Sequence, residues 1–314
     1  MNFEKHTGYF KSSNGMNDTA YYIYMPKNGQ IKGVVQFVHG MCEYLARYEH
    51  FAEFLCGQGF VMAGHDHIGH GKSVNSSDEL GFFAEKDGWK CLVKDTVRFT
   101  SMLKKRFKGM PLFIIGHSMG SLVLRMIMGK YSYVYDGAVI MDTISIGFGT
   151  DAALAGIEAI SAVTGKRSRS KLLDSMLFGM SNARIENPLT RYDWMSTDAE
   201  VVKAYAEDPE CTFIFTNQAM YDLVMMVKYV SAPDWSAKVE KTLPVLVLAG
   251  GEDPVGSYGK YPRELFECLV HGQMRDVEFK LYDGMRHEIL NEIGKEKVFA
   301  DIAEWLEGHI KEGD

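Results

Sequence analysis

The chain has 314 residues, 46% of them hydrophobic and 24% charged, and a formal net charge of −7. This is globular composition on a length that can bury a large core without disulfides or a structural metal. The acidic balance and the lack of any lysine- or arginine-rich block argue against a nucleic-acid partner. The start, MNFEKHTGYFKSSNG, lacks the apolar centre of a secretory signal. No apolar run reaches the roughly 20 residues that a membrane-spanning helix needs. The 5 cysteines, Cys42, Cys56, Cys91, Cys211 and Cys268, are scattered and form no CxxC pair, which points to reduced thiols and a cytoplasmic protein.

In chain order, TAYYIYMP (19–26) and KGVVQFVHG (32–40) are β-branched and aromatic runs, and the turn residues between them suggest a hairpin. Residues 43–58 read as a helix with Tyr48, Phe51, Ala52 and Leu55 on one face, closed by Gly57 and Gly59. FVMAGHD (60–66) is a strand entering a glycine- and histidine-rich loop, and 87–108 is a long amphipathic helix. PLFIIGH (111–117), a helix over 118–131 and the strand DGAVIMDT (136–143) follow. The alternation breaks over 144–240, where helical pieces rich in Ala, Met and Tyr replace strands. It resumes with LPVLVLAGGED (243–253), a helix near 261–271, the strand DVEFKLYDG (276–284) and a last helix from 288 to about 311. Strands alternating with helices predict an α/β fold with a mostly parallel central sheet covered on both faces. The division expected is a core of 1–143 and 241–314 carrying a helical insertion over 144–240.

IIGHSMGSLVL contains G-x-S-x-G between a predicted strand and a predicted helix, with Ser118 at its centre. That context suits a nucleophile elbow, in which a sharp turn lifts the hydroxyl above the sheet edge. A serine there is equally an ordinary helix N-cap. A nucleophilic serine needs a base, and the base needs an anionic partner, in the chain order Ser, Asp, His. Asp253 follows one later strand and His287 follows the last, both at the ligand-binding edge of an open α/β sheet. Taken singly, Asp253 is also a turn aspartate before Pro254 and His287 a polar residue at a helix entry. Developing negative charge calls for two backbone N–H donors. Met119 supplies one, and His39-Gly40-Met41 after an early strand supplies the other through Met41.

With these pieces in order, the chain resembles the α/β-hydrolase superfamily, and within it the monoacylglycerol lipase and lysophospholipase-like serine hydrolases. The stretches that carry the resemblance are HGMCEYLARY, HDHIGHGKS, GHSMGS, GGEDPVG and YDGMRHEILNE, spread over residues 39–292, together with NPLTRYDWMSTDAEVVKAYAEDP (187–209), which resembles the insert of bacterial members. The resemblance implies Ser118 as nucleophile, Asp253 as acid, His287 as base, and Met41 and Met119 as oxyanion donors. It implies that the 144–240 insertion is a cap, that Glu43 and Arg47 stand near the alcohol part of the substrate, and that His39 and Gly40 belong to the substrate site. Cys42 stands where the family commonly has glycine, and Tyr44 where it often has histidine. The implied activity is hydrolysis of lipid-like monoesters with no metal or organic cofactor. A carboxylesterase, thioesterase or peptidase would use the same triad, and a non-catalytic binding protein would use only the fold. Methionines 176, 180, 220, 225 and 226 suit either an adaptable acyl-chain pocket or the insert's own core. A cap of this kind also implies transient contact with a membrane surface.

Two other patterns carry less. GHGKS (69–73) lacks the leading glycine of a phosphate loop, since that position is Asp66. HDHIGH (65–70) has zinc-ligand chemistry, but the resemblance makes it a structural loop whose Asp66 and His67 bond backbone. Nothing in the sequence speaks to oligomeric state.

Overall fold

The computed structural model describes residues 3–144 and 149–310. The sheet has 8 strands: β1 (Phe3–Lys11), β2 (Asp18–Pro26), β3 (Gly33–Val38), β4 (Phe60–His65), β5 (Leu112–His117), β6 (Gly137–Met141), β7 (Val245–Gly250) and β8 (Val277–Tyr282). Their order is β1-β2-β4-β3-β5-β6-β7-β8, with β2 antiparallel to both of its neighbours, β1 and β4, and every other pair parallel. Strands β3, β4, β5 and β7 are buried at every position, which accounts for their continuous apolar runs in place of alternation.

Helices cover both faces. α1 (Glu49–Gly57) packs on one face, together with the last helix over Lys295–Gly308. The other face takes α2 (Gly88–Arg106) and α3 (Met119–Tyr131). Between β6 and β7 come α4 (Thr150–Thr164), α5 (Lys171–Phe178), α6 (Ala199–Glu207) and α7 (Asn217–Val230), then α8 (Lys260–His271) after β7; the last helix is α9. α7 packs on α2 and α3 as well as on α4. No helix among the described residues is long and apolar enough to cross a membrane.

Several expectations are corrected here. β2 does not form a hairpin with β3; it pairs with β1 and β4, while β3 lies between β4 and β5 in the middle of the sheet. β1 escaped the sequence reading because its residues are mostly polar and outward, as suits a charged edge strand. The helix expected from residue 43 starts at Glu49, after a 3-10 turn over Leu45–Tyr48. The helix expected from 288 starts at Lys295, because Gly294 at φ 81° breaks the path from the 3-10 turn over Ile289–Asn291.

Candidate active site

β5 ends at His117 and α3 begins at Met119, so the whole reversal falls on Ser118, which adopts φ 52° and ψ −119°. Left-handed φ is costly for a residue with a Cβ and persists only where the surroundings enforce it. The neighbours do so here. A Cβ on Gly120 would come within 2.0 Å of the Val38 carbonyl oxygen, and one on Gly116 within 2.6 Å of the Gly120 carbonyl oxygen. The flanking glycines therefore let β5, α3 and the end of β3 close on one another. The N-cap reading of Ser118 does not hold, since its side chain caps no N–H of α3. Its Oγ lies 2.8 Å from His287 Nε2.

His287 comes from the loop after β8, and its Nδ1 lies 3.0 Å from Asp253 Oδ2. That pair is within ion-pair reach but off the alignment of a good hydrogen bond. Such bonds commonly tighten only once substrate is bound. Asp253 also closes its own turn: Oδ1 accepts the Val255 N–H at 2.8 Å and Oδ2 the Gly256 N–H at 3.0 Å. The turn reading and the partnership with His287 are thus both true of it. Other left-handed residues, Cys42 at φ 54° and Asp142 at φ 47°, stand at the same sheet edge, so backbone strain is concentrated around the serine.

Met41 and Met119 both line the cavity over Ser118. No described group accepts the main-chain N–H of either, which leaves both donors available. The loop carrying Met41 is held by Glu43, whose Oε1 accepts the Gly40 N–H.

Sequence reasoning missed what holds Glu43. His117, next to the serine, points Nδ1 at Glu43 Oε1 (2.9 Å) and Nε2 at the His287 carbonyl (3.2 Å). Tyr48 donates to Glu43 Oε2 at 2.6 Å, and Arg47 reaches Glu43 at 3.1 Å and Glu288 at 2.7 and 2.8 Å. Burial opposes the charge on His117, but the facing Glu43 carboxylate outweighs it and pushes the imidazole up to about 9. Burial likewise opposes ionised Glu43, and His117 and Arg47 overcome it, holding the carboxyl below its usual range. One buried cation thus ties the loop carrying Met41 to the main chain of His287. Only the histidine-before-serine in GHSMG and the EYLARY spacing hinted at this.

His117 titrates at 6.5 when unfolded and near 9 when folded. Between those values the fold binds more protons than the unfolded chain, so its contribution to stability is complete below 6.5 and lost as pH rises through about 9. Urea titrations across this window should show stability falling with pH in the native protein and a flatter dependence in His117→Gln. An unchanged slope in the variant would place the titration on another group.

The four residues expected to contact substrate each have protein partners. The Glu43 oxygens are taken by protein partners, although the residue reaches the cavity wall. Arg47 is committed to Glu43 and Glu288 and lies over the Tyr205 ring. Gly40 gives its N–H to Glu43 and its carbonyl to His39 Nδ1, while His39 Nε2 accepts the His67 N–H at 2.9 Å. The histidine loop has similar inward duties: Asp66 accepts the N–H groups of Leu45 and Lys72, and His67 Nε2 donates to the His39 carbonyl. Burial pushes His39 and His65 down to about 3 and His70 to about 4, so these rings are neutral.

The cavity above Ser118 opens to solvent, and the empty space in and over it amounts to about 810 Å³. Ile144, Phe178, Trp194, Leu223 and Val255 give it apolar walls, with Asp174 and Arg191 as a polar pair on the insert side. The methionines at this wall are Met41, Met119 and Met195; of those expected from the insert, Met220 and Met226 are buried in the core and Met176 and Met180 are exposed.

A largely parallel sheet with a strained serine elbow, facing a histidine and an aspartate from later strand ends, defines an α/β-hydrolase. The family model described as Hydrolase_4, serine aminopeptidase S33, matches residues 29–294, and the chain belongs to that family. It is similar to a monoglyceride lipase of Mus musculus, 25% identical over 295 residues that cover 91% of this chain and 86% of the mouse protein. A monoacylglycerol lipase of Mycolicibacterium smegmatis is 26% identical over 282 residues, covering 89% of each. Among solved structures, a carboxyl esterase from Bacillus coagulans in complex with glycerol superposes with a TM-score of 0.90 at 29% identity over 99% of both chains.

Proposed function

We propose that this chain hydrolyses monoacylglycerols through an acyl-enzyme on Ser118. The observation that carries the reading is the 2.8 Å contact between Ser118 Oγ and His287 Nε2 at the floor of this open, apolar-walled cavity. His287 takes the serine proton as Oγ attacks the ester carbonyl, and Asp253 steadies the imidazolium that forms. The N–H groups of Met41 and Met119 receive the oxyanion. His287 then protonates the departing glycerol and, in the second half-reaction, draws a proton from water that cleaves the acyl-enzyme. The names of the mouse and mycobacterial relatives and the glycerol complex of the Bacillus coagulans esterase support this choice of alcohol.

In this reading the segment over 144–240 forms a cap that walls the acyl site, since Ile144, Phe178, Trp194 and Leu223 lie within it. Leu172, Met176 and Met180 recur every four residues along and just past α5 with their side chains exposed, and Leu189 is exposed nearby in sequence. Such a stripe suits contact with a lipid surface.

A peptidase reading follows from the family's printed description. A panel of 1-monoacylglycerols of increasing chain length, short p-nitrophenyl esters and aminoacyl p-nitroanilides separates the two. The expected result is highest kcat/KM on long-chain monoacylglycerols and negligible anilide cleavage. Anilide turnover exceeding ester turnover would reject the proposal.

A further inference from the structure

Arg125 lies on α3, two turns beyond Ser118, and is 4% exposed. A buried guanidinium normally faces a carboxylate, but the hydrogen bonds of Arg125 all go to neutral oxygens. Nη1 donates to the Ile144 carbonyl at 3.1 Å and lies 3.5 Å from Thr143 Oγ1, and Nη2 donates to the Val230 carbonyl at 3.0 Å. Nε has no partner. The guanidinium also sits 4.8 Å from the Trp235 ring, and Trp235 Nε1 donates to the Arg125 carbonyl at 2.9 Å. Burial without a carboxylate lowers its pKa to about 10, so it remains charged at neutral pH.

The acceptors explain how the charge is tolerated. Val230 is the last residue of α7, and the carbonyls at a helix C-terminus carry the negative end of its dipole and lack intrahelical donors. The aromatic face adds a second attraction. They also show what the charge joins. Ile144 is where the chain leaves the β6 end for the insertion and stands in the cavity wall; α7, whose Leu223 stands in the same wall, is where it returns. A planar fork with two separate donors can hold both carbonyls at once, which a point charge cannot. An apolar side chain would fill the same space at lower desolvation cost.

We propose that Arg125 is a positioning residue: its guanidinium fastens the entry and the return of the insertion to the nucleophile helix, and so sets where the acyl-site wall stands over Ser118. Selectivity for long acyl chains then depends on Arg125, although it touches no substrate. The proposal rests on the insertion walling the acyl site.

The test compares kcat/KM on 1-monooleoylglycerol with kcat/KM on p-nitrophenyl acetate, whose acyl group is too short to need the wall. In Arg125→Met the ratio of the two should fall about tenfold, within the range that misplacing a positioning group costs, with most of the change in KM for the long substrate. Arg125→Lys, which keeps the charge but not the fork, should lower the ratio in the same direction and serves if the methionine variant does not fold. Fluorophosphonate labelling of Ser118 reports that each variant is folded and competent. A wild-type ratio in a competent variant overturns the proposal. If wild type itself fails on monooleoylglycerol, the substrate reading fails instead. Hydrogen exchange then decides on Arg125: faster exchange over 149–230 in the variants supports the fastening role, and unchanged exchange rejects it.

Discussion

In the proposed mechanism Ser118→Ala is expected to remove nearly all activity, lowering kcat/KM on a monoacylglycerol by about 10³-fold or more, as removing a triad nucleophile does elsewhere. The fold should survive, because Ser118 Oγ has His287 as its only described partner and caps no helix. Some rate above that in water persists, since the Met41 and Met119 donors and the cavity are untouched. Fluorophosphonate labelling should vanish in the same variant while circular dichroism stays native. Hydrolysis at the wild-type rate would remove Ser118 from the mechanism, whatever the geometry.

Glu43→Ala is expected to be the most damaging single change to stability away from the sheet core. Its carboxylate faces His117, shares Arg47 with Glu288 and accepts the Gly40 N–H, with Glu43 and His117 buried and Arg47 partly so. Deleting it strands those partners in a low-dielectric interior, where breaking a buried ion pair costs about 3–5 kcal/mol. Denaturant unfolding at pH 7 measures the loss. A change below about 1 kcal/mol, the scale of an exposed pair, would mean that water or Glu288 takes over the role. Glu43→Gln keeps an acceptor for the Gly40 N–H while losing the charge, and so separates the oxyanion loop's hydrogen bond from the ion pairing.

The sequence disclosed those parts whose pattern is local. The continuous apolar runs of β3, β5 and β7, and the glycines around Ser118, announce buried parallel strands and a tight elbow because each constraint acts within a few residues. Asp253 and His287 were legible by order, each placed just past a strand end. β1 was not, because an edge strand with charged outward residues has no apolar signature. Nor was the pairing of β2, which depends on β4 entering the sheet beside it from a distant part of the chain. Glu43 and Arg47 were found, but their bonds to one another and to Glu288 were not, since a carboxylate and a guanidinium near a catalytic loop look alike whether they face a ligand or one another. Their partner Glu288 lies 241 residues from Arg47, and no spacing reveals such a contact. The methionines were left open between pocket and core for a related reason: period alone does not say which helix face meets the cavity.

The left-handed backbone at Ser118 also places a ceiling on this protein's durability. Glycine would adopt φ 52° and ψ −119° without the penalty a side chain incurs, so relaxing this torsion and keeping a hydroxyl there are incompatible. A search for heat-resistant variants that selects on folding alone should drift toward losing the Ser118 hydroxyl, whereas one that selects on turnover, if Ser118 is the nucleophile as proposed, must find its gains elsewhere, in the 149–240 helices or at the sheet edges.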